Sequence, residues 1–563
     1  MVNLVGTPNT YLMKKLFLLL LCSPAIHAQV VYTAFDLNLG PPYSSPAHYV
    51  TLNNSMLFTA ADVPHGNELW ISDGTQAGTT VLKDVNPGGV NSNAIDLVVS
   101  GSKVFFAATE VSSGLELWVT DGTAAGTMMT KDVGIATAGS YQGDMVAYKS
   151  GVLYRALETT DGSELWISDG TSGGTQLLKD INPGSLSGSP QHMIVFNGYV
   201  FFAGNDATYG NELWMTDGTT AGTQILKDIY VGTSSSNPQD FYVFNGKLYF
   251  VAASSIGKEL WVTDGTTIGT QLVKDIMPGG AASHGIANAN FITYNGKLYF
   301  QASDGTNGYE LWVTDGTAAN TTMVKDINPG SASSYPTEMA VFKNKIYLQA
   351  DDGSNGAELW MSDGTAGGTS FIKDILSGNA GSTPQKLTAY KSYLYFRAQT
   401  VSPNDWRLFR TDGTASGTIS VVPTGATFPS QVLSSFSGFH IFSYDSAMYF
   451  NGNFNSTGDE LWKIKDSTGG PGLNIQPITQ QNSFSIYPNP NDGTFTLQLD
   501  NTNFKNGTLA VYDMMGRLIK SEKLIPIVIG TKSETIHLDA GKGIYLVKLQ
   551  LDNALLTKRV IVE

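Results

Sequence analysis

Eight of the nine tryptophans in this 563-residue chain sit directly after a Glu-Leu pair: Trp70, Trp118, Trp166, Trp214, Trp261, Trp312, Trp360 and Trp462. A further copy reads Arg407-Leu408-Phe409-Arg410-Thr411-Asp412-Gly413-Thr414, and Trp406 is the one tryptophan outside the slot. Neighbouring copies lie 47 to 53 residues apart. A period of that length restricts the chain to repeat architectures, in which each unit buries its apolar surface only against the next.

Residues 287–330 show one period in full. Phe291-Ile292-Thr293-Tyr294 runs into Asn295-Gly296, a two-residue hairpin signal. Lys297-Leu298-Tyr299-Phe300-Gln301-Ala302, Glu310-Leu311-Trp312-Val313-Thr314 and Met323-Val324-Lys325-Asp326-Ile327 follow with strand composition, separated by glycine-rich turns. Four short strands in one period match a blade of a β-propeller. The last copy, His440 to Lys465, has three strands and lacks the fourth. Val31–Gly40 shares the Asp-x-Asn-x-Gly frame of Gln176–Gly184, so the N-terminal strand is expected to complete the last blade and leave no open edge. The expected fold is all-β: a β-propeller of about nine four-stranded blades over residues 29–466, with eight blades or an open solenoid as alternatives.

Lys plus Arg number 33 against 48 Asp plus Glu, a formal charge of -15, which disfavours nucleic acid and anionic membrane surfaces as partners. Met13-Lys14-Lys15, the apolar run Leu16–Leu21 and Ser23–Ala28 have the order of a secretory signal, so residues 1–28 read as a signal peptide with Met13 as its start. A lipoprotein reading through Cys22 is the alternative, although Leu21 is large for that position. Cys22 is the only cysteine, so the mature chain is expected to carry no disulfide. No later stretch is long and apolar enough for a transmembrane span.

Asp466–Gly472 and the polar run to Asn482 read as a linker, residues 467–482. Beyond it the period vanishes. Thr494–Leu499, Thr508–Tyr512, Ile544–Leu549 and Lys558–Val562 alternate as strands do, which points to a small antiparallel β-sandwich over residues 483–563.

The repeat, Glu-Leu-Trp-x-[Ser/Thr]-Asp-Gly-Thr-x-x-Gly-Thr, resembles the ELWxxDGT repeat family of secreted bacterial proteins, which implies a propeller-like surface protein without an established chemistry. The tail resembles the type A C-terminal sorting domain of the type IX secretion system found in Bacteroidetes. Its matching residues are Tyr487, Pro488, Asn489, Pro490, Gly493 and Phe495, then Val511 to Arg517 with Asp513 and Gly516, then Leu538, Gly543 and Tyr545. The resemblance implies export to the periplasm, passage through the type IX machinery, and release or attachment at the cell surface.

The repeated Asp-Gly-Thr invites a calcium reading, since carboxylate and hydroxyl oxygens suit hard cations, but each copy offers one carboxylate in a short loop and the residues are those of a tight turn. Calcium is the one cofactor left open. If Ser168 faces Thr175 across its loop, Glu164 falls opposite Lys179, and an exposed cross-strand pair is expected in each blade. Copy eight has Arg407 for the Glu and Val422 for the Lys, so both charges go together. The tryptophans suit a packing layer between blades better than a sugar-stacking surface. Catalysis needs an asymmetric constellation, and the off-repeat candidates are Asp96, Glu110, Asp144, Glu158, Asp240 and Glu338 with His65, His192, His284 and His440. No nucleophile elbow, P-loop, zincin or complete EF-hand sequence is present. The expected function is a non-catalytic binding module, with polysaccharide or a surface protein as ligand. A secreted glycan hydrolase or lyase, whose two carboxylates would converge, and a structural adhesin or surface-layer component are the alternatives.

Overall fold

The computed structural model describes residues 30–35, 37–38, 43–134, 137, 139–279, 285–400, 405–421, 441–452 and 460–466, and in the tail 484–487, 493–499, 503–504, 507–513, 517–524, 527–528, 532–539, 541–551 and 554–562. The expected signal peptide with Met13 and Cys22, the expected linker, Val422, His284, His440, Pro488, Asn489, Pro490 and Gly516 lie outside the described residues.

The four strands of each copy differ in burial because they differ in distance from the axis and from water. The second strand, such as Lys297–Ser303, is buried along nearly its whole length on both faces. Leu298, Phe300 and Ala302 pack on the preceding sheet, beside Tyr249 and Val251, while Tyr299 packs on the following one, beside Ile346 and Leu348. The fourth strand, such as Thr322–Lys325, alternates between buried and accessible positions as an outer edge does. All sheets are antiparallel and joined in the order first-second-third-fourth strand; residues 30–466 hold nine four-stranded sheets among the described residues. The architecture is all-β and propeller-like.

The ends of the repeat share a sheet. Val30–Phe35 pairs antiparallel with Glu460–Asp466, placing Ala34 opposite Trp462 and Phe35 opposite Leu461. That composite sheet packs on the first one: Phe35, Ala447, Tyr449 and Leu461 share a core with Met56, Phe58 and Trp70. Tyr49 stacks on Phe442 at 5.7 Å, and the Lys463 ammonium donates to Gly74 O at 2.6 Å. The array is therefore closed by contacts between its first and last sheets.

The expected Glu–Lys cross-strand pair is not formed. Ser168 and Thr175 do face each other, with hydroxyls 2.8 Å apart, but a bulge between Leu165 and Trp166 shifts the ladder so that Lys179 lies opposite Leu165. The glutamates are instead fully buried. Glu310 accepts hydrogen bonds from Ile327 N at 2.8 Å, Ser334 N at 3.0 Å and Ser334 Oγ at 2.6 Å. It thus pins the loop that leaves the fourth strand to the third strand of its own sheet. Glu116, Glu212 and Glu358 hold the equivalent serines, Ser140, Ser236 and Ser382. Burial pushes Glu68, Glu164, Glu259 and Glu310 up to about 7 against the opposing pull of these donors. The lysines reach across to the next sheet: Lys274 Nζ donates to Thr321 O at 2.7 Å and lies 5.9 Å from the centre of the Trp312 ring. All eight motif tryptophans are buried, Trp70 and Trp462 donating to Ala60 O and Gly452 O.

In the tail, Phe484–Tyr487, Thr494–Leu499 and Lys532–His537 form one sheet, and Gly507–Asp513, Leu518–Leu524, Gly543–Leu551 and Ala554–Val562 another. Phe495, Leu497 and Ile536 from the first meet Leu509, Val511, Val547 and Val560 from the second in one core, which makes the tail a two-sheet antiparallel sandwich.

Candidate functional site at the axis of the ring

The first strands of neighbouring sheets touch one another around the inside of the ring. At or just before each first strand one residue is forced into the left-handed region. His48, Asp96, Asp144, His192, Asp240, Asn290, Glu338 and Lys386 occupy this position in the first eight sheets, with φ between 50° and 58°. In six of these sheets the ladder slips at this point, as between Gln239 and Tyr242. The bulge is thus architectural, while the side chain it presents changes from sheet to sheet. This single position gathers Asp96, Asp144, Asp240, Glu338 and His192 of the sequence candidates.

From the third sheet to the eighth, acids alternate with other residues: Asp144, His192, Asp240, Asn290, Glu338, Lys386. Each acid reaches the backbone of the following sheet. His192 N donates to Asp144 Oδ1 at 2.9 Å, Ala289 N to Asp240 Oδ2 at 2.8 Å and Lys386 N to Glu338 Oε2 at 2.7 Å. Asp96 accepts from the Tyr141 hydroxyl at 3.0 Å. Cations stand beside them. Arg155 lies 3.4 Å from Asp144, Lys258 is within electrostatic reach of Asp240, and Arg397 within reach of Glu338. Arg397 is held from behind by Gln385 Oε1 and stacks 4.5 Å from the Trp406 ring centre.

Between the fifth, sixth and seventh sheets this ring opens into a cavity of about 720 Å³. Asp240 and Glu338 line it with the rings of Phe241, Tyr242 and Phe291 and the amides of Asn288 and Asn290. Tyr242 and Phe291 lie 5.7 Å apart, so the aromatic wall is continuous across two sheets. Apolar ring faces beside amides and carboxylates suit a ligand with both C–H faces and hydroxyls.

The remaining candidates sit elsewhere. Glu110 and Glu158 end the second strands Lys103–Glu110 and Gly151–Glu158, and His65 pairs with Asp62 at 2.8 Å in a turn. The Asp-Gly-Thr segments form side-chain-capped turns. Asp169 Oδ1 accepts from both the amide and the hydroxyl of Thr171, at 2.8 and 2.7 Å, and the Thr171 hydroxyl in turn accepts from Gly174 N. The threonine hydroxyl, followed by its amide, holds the Asp169 carboxyl below its ordinary value. Among the described residues no three His, Cys, Asp or Glu side chains gather as metal ligands.

In the tail, Tyr487 lies opposite Thr496. Gly493 has φ 96° and its carbonyl accepts from Leu538 N at 2.8 Å; a Cβ there would meet Leu538 O at 3.2 Å. Asp513 accepts from Arg517 N and Nε at 2.9 and 3.0 Å. Gly543 opens its strand, and the Tyr545 hydroxyl donates to Gly541 O at 2.6 Å.

Residues 485–563 match the family of secretion system C-terminal sorting domains. Such a tail engages the type IX secretion machinery, and the protein is exported to the cell surface or the extracellular space. No helix among the described residues is long and apolar enough to cross a membrane. No curated protein matches the chain. Among solved structures, a puromycin hydrolase is similar over 66% of this chain and 62% of its own, at 14% identity and a TM-score of 0.33. The chain thus spans under two thirds of that enzyme. Saccharomyces cerevisiae Sqt1 is similar over 70% of this chain and 99% of its own, at 11% identity and 0.33. Dihydro-heme d1 dehydrogenase NirN is similar over 79% and 75%, at 11% identity and 0.36. At these scores none of them bears on the chemistry of this chain.

Proposed function

We propose that residues 29–466 form a non-catalytic binding body, delivered outside the cell by the sorting domain of residues 483–563, and that its ligand is a polysaccharide held at the axial cavity. The observation that carries this reading is the lining of that cavity. Phe241, Tyr242 and Phe291 supply ring faces for a sugar's C–H side, and Asn288, Asn290, Asp240 and Glu338 supply partners for its hydroxyls. Asp240 and Glu338 each spend one oxygen on the next sheet's backbone, which fixes the direction of the other.

The test is titration calorimetry of the full-length protein with soluble neutral polysaccharides. Binding to the wild type that is lost in Phe241→Ala and Asn290→Ala supports the proposal, whereas binding indifferent to both substitutions removes it. A second reading, glycan hydrolysis, is favoured by the presence of two carboxylates in one cavity. It predicts release of shorter oligosaccharides by the wild type, abolished in Asp240→Asn and in Glu338→Gln.

A further inference from the structure

The segment that enters the axial cavity at Thr337 and Glu338 begins, four residues earlier, in the wall of a second cavity. That outer cavity, about 340 Å³, is lined by Tyr309, Ser303, Ser331, Ser333 and Gly308. Between the two lies Tyr335. Its ring stacks on Tyr309 with centroids 5.9 Å apart and planes inclined by 24°, yet the residue is 55% exposed. One side of the pair is thus spent on the protein and the other faces solvent. The backbone here is fixed from both ends. Ser334 N and Tyr335 N donate to Tyr309 O at 3.1 and 3.2 Å, Tyr309 N is bonded to Ser333 Oγ at 2.9 Å, and Glu310 holds Ser334.

The same hydrogen-bond frame recurs in other sheets, which isolates what is special in this one. Asn93 N donates to Asn67 O, and Asn237 N to Asn211 O, in the geometry of Tyr335 and Tyr309. Asn93 and Asn237 have φ of 47° and 46°, and Tyr335 has 47°. Asparagine takes that left-handed conformation readily, whereas a bulky aromatic residue there is an outlier. Ser189 and Thr383 hold the same slot at φ of 42° and 46°, so the left-handed conformation belongs to the fold, and what is particular to this copy is an exposed aromatic side chain stacked on a second one.

We propose that the Tyr335–Tyr309 pair is a second sugar-binding subsite, and that with the axial cavity it forms one track for an extended oligosaccharide running from the axis towards the rim between the sixth and seventh sheets. The proposal rests on the reading of the axial cavity as a glycan site and extends it to chain length. Four residues of extended backbone between Ser333 and Thr337 span at most ~14 Å, a distance bridged by a few sugar units. The exposed Tyr335 face takes the C–H side of one unit, and Ser303, Ser331 and Ser333 offer hydroxyls beside it.

The experiment is titration calorimetry of the full-length protein with disaccharides and hexasaccharides of the cello-, chito- and laminari- series, comparing wild type, Tyr335→Asn and Phe241→Ala. The track predicts that Tyr335→Asn weakens hexasaccharide binding roughly two- to tenfold, leaves disaccharide binding unchanged, and does not lower the melting temperature, since asparagine already fills this slot elsewhere. Hexasaccharide affinity unchanged in Tyr335→Asn but lost in Phe241→Ala overturns the track and leaves the axial site standing. Equal weakening of both ligand lengths by Tyr335→Asn also overturns it. Binding of no member of any series removes the axial reading and the track together.

Discussion

Replacing Glu310 by alanine removes the acceptor that holds the loop carrying Tyr335. In the wild type its carboxylate takes Ile327 N at 2.8 Å, Ser334 N at 3.0 Å and the Ser334 hydroxyl at 2.6 Å, in a site closed to solvent. Orphaning a buried donor costs about 1–3 kcal/mol, and here the cost falls on Ile327 N, since Ser334 N keeps Tyr309 O at 3.1 Å. Water entering the vacated space recovers part of this, leaving ~1–2 kcal/mol. The loss is local, because the loop and the third strand belong to the same sheet. Amide hydrogen exchange on the full-length protein reads it directly: protection at Ile327 falls by roughly one order of magnitude in Glu310→Ala. Glu358→Ala, its counterpart in the next sheet, leaves that amide unchanged and exposes Ile375 and Ser382 instead. Unchanged protection at Ile327 in Glu310→Ala would refute the reading of these glutamates as internal loop anchors.

Two other consequences follow from the same contacts. Because burial raises Glu68, Glu164, Glu259 and Glu310 to about 7, the folded state holds their protons more tightly than the unfolded chain, whose glutamates titrate near 4.5. Their stabilising contribution is full below that value and is lost as pH rises towards 7, by up to ~1.4 kcal/mol per pH unit for each group in that window. The turn aspartates, such as Asp169, are shifted downwards and act in the opposite sense at lower pH. Denaturant midpoints should therefore peak on the acid side of neutrality, and a midpoint rising steadily from pH 5 to 8 would contradict this. In the Asp-Gly-Thr turn, a Cβ on Gly174 would meet Asp169 Oδ1 at 2.1 Å, while one on Gly173 meets nothing within 4 Å. Gly174→Ala is expected to cost on the order of 1–3 kcal/mol in unfolding experiments and Gly173→Ala almost nothing.

The period of the Glu-Leu-Trp copies carried the architecture because it repeats a whole four-stranded unit. The shared Asp-x-Asn-x-Gly frame placed Val30–Phe35 beside Trp462 without any long-range calculation. The Glu–Lys pairing failed for a physical reason: the bulge at Leu165 and Trp166 adds one residue to a ladder, and one residue reverses which face a side chain occupies. The axial ring was within reach and was missed. Asp96, Asp144, His192, Asp240, Asn290, Glu338 and Lys386 each lie five residues before a hairpin-turn residue with positive φ, from Gly101 to Lys391. Aligning the copies on that turn puts all of them at one position. What no alignment of copies contains is the packing of sheets around the axis, which turns one variable position per repeat into neighbours. The Tyr309–Tyr335 stack is of the same kind, since it joins the third strand of the sixth sheet to the loop that leads to the seventh.

The closed ring is the claim on which the axial cavity depends, and a cross-link tests it directly. Val31 is the partner of Lys465 across the seam between the N-terminal strand and the last strand of the repeat. The only native cysteine, Cys22, lies within the signal-like segment. In the secreted Val31→Cys, Lys465→Cys double variant, closure predicts an intramolecular disulfide under mild oxidation, seen as a reduction-sensitive mobility shift of the monomer. Two thiols that both stay open to alkylation in the folded protein would contradict it.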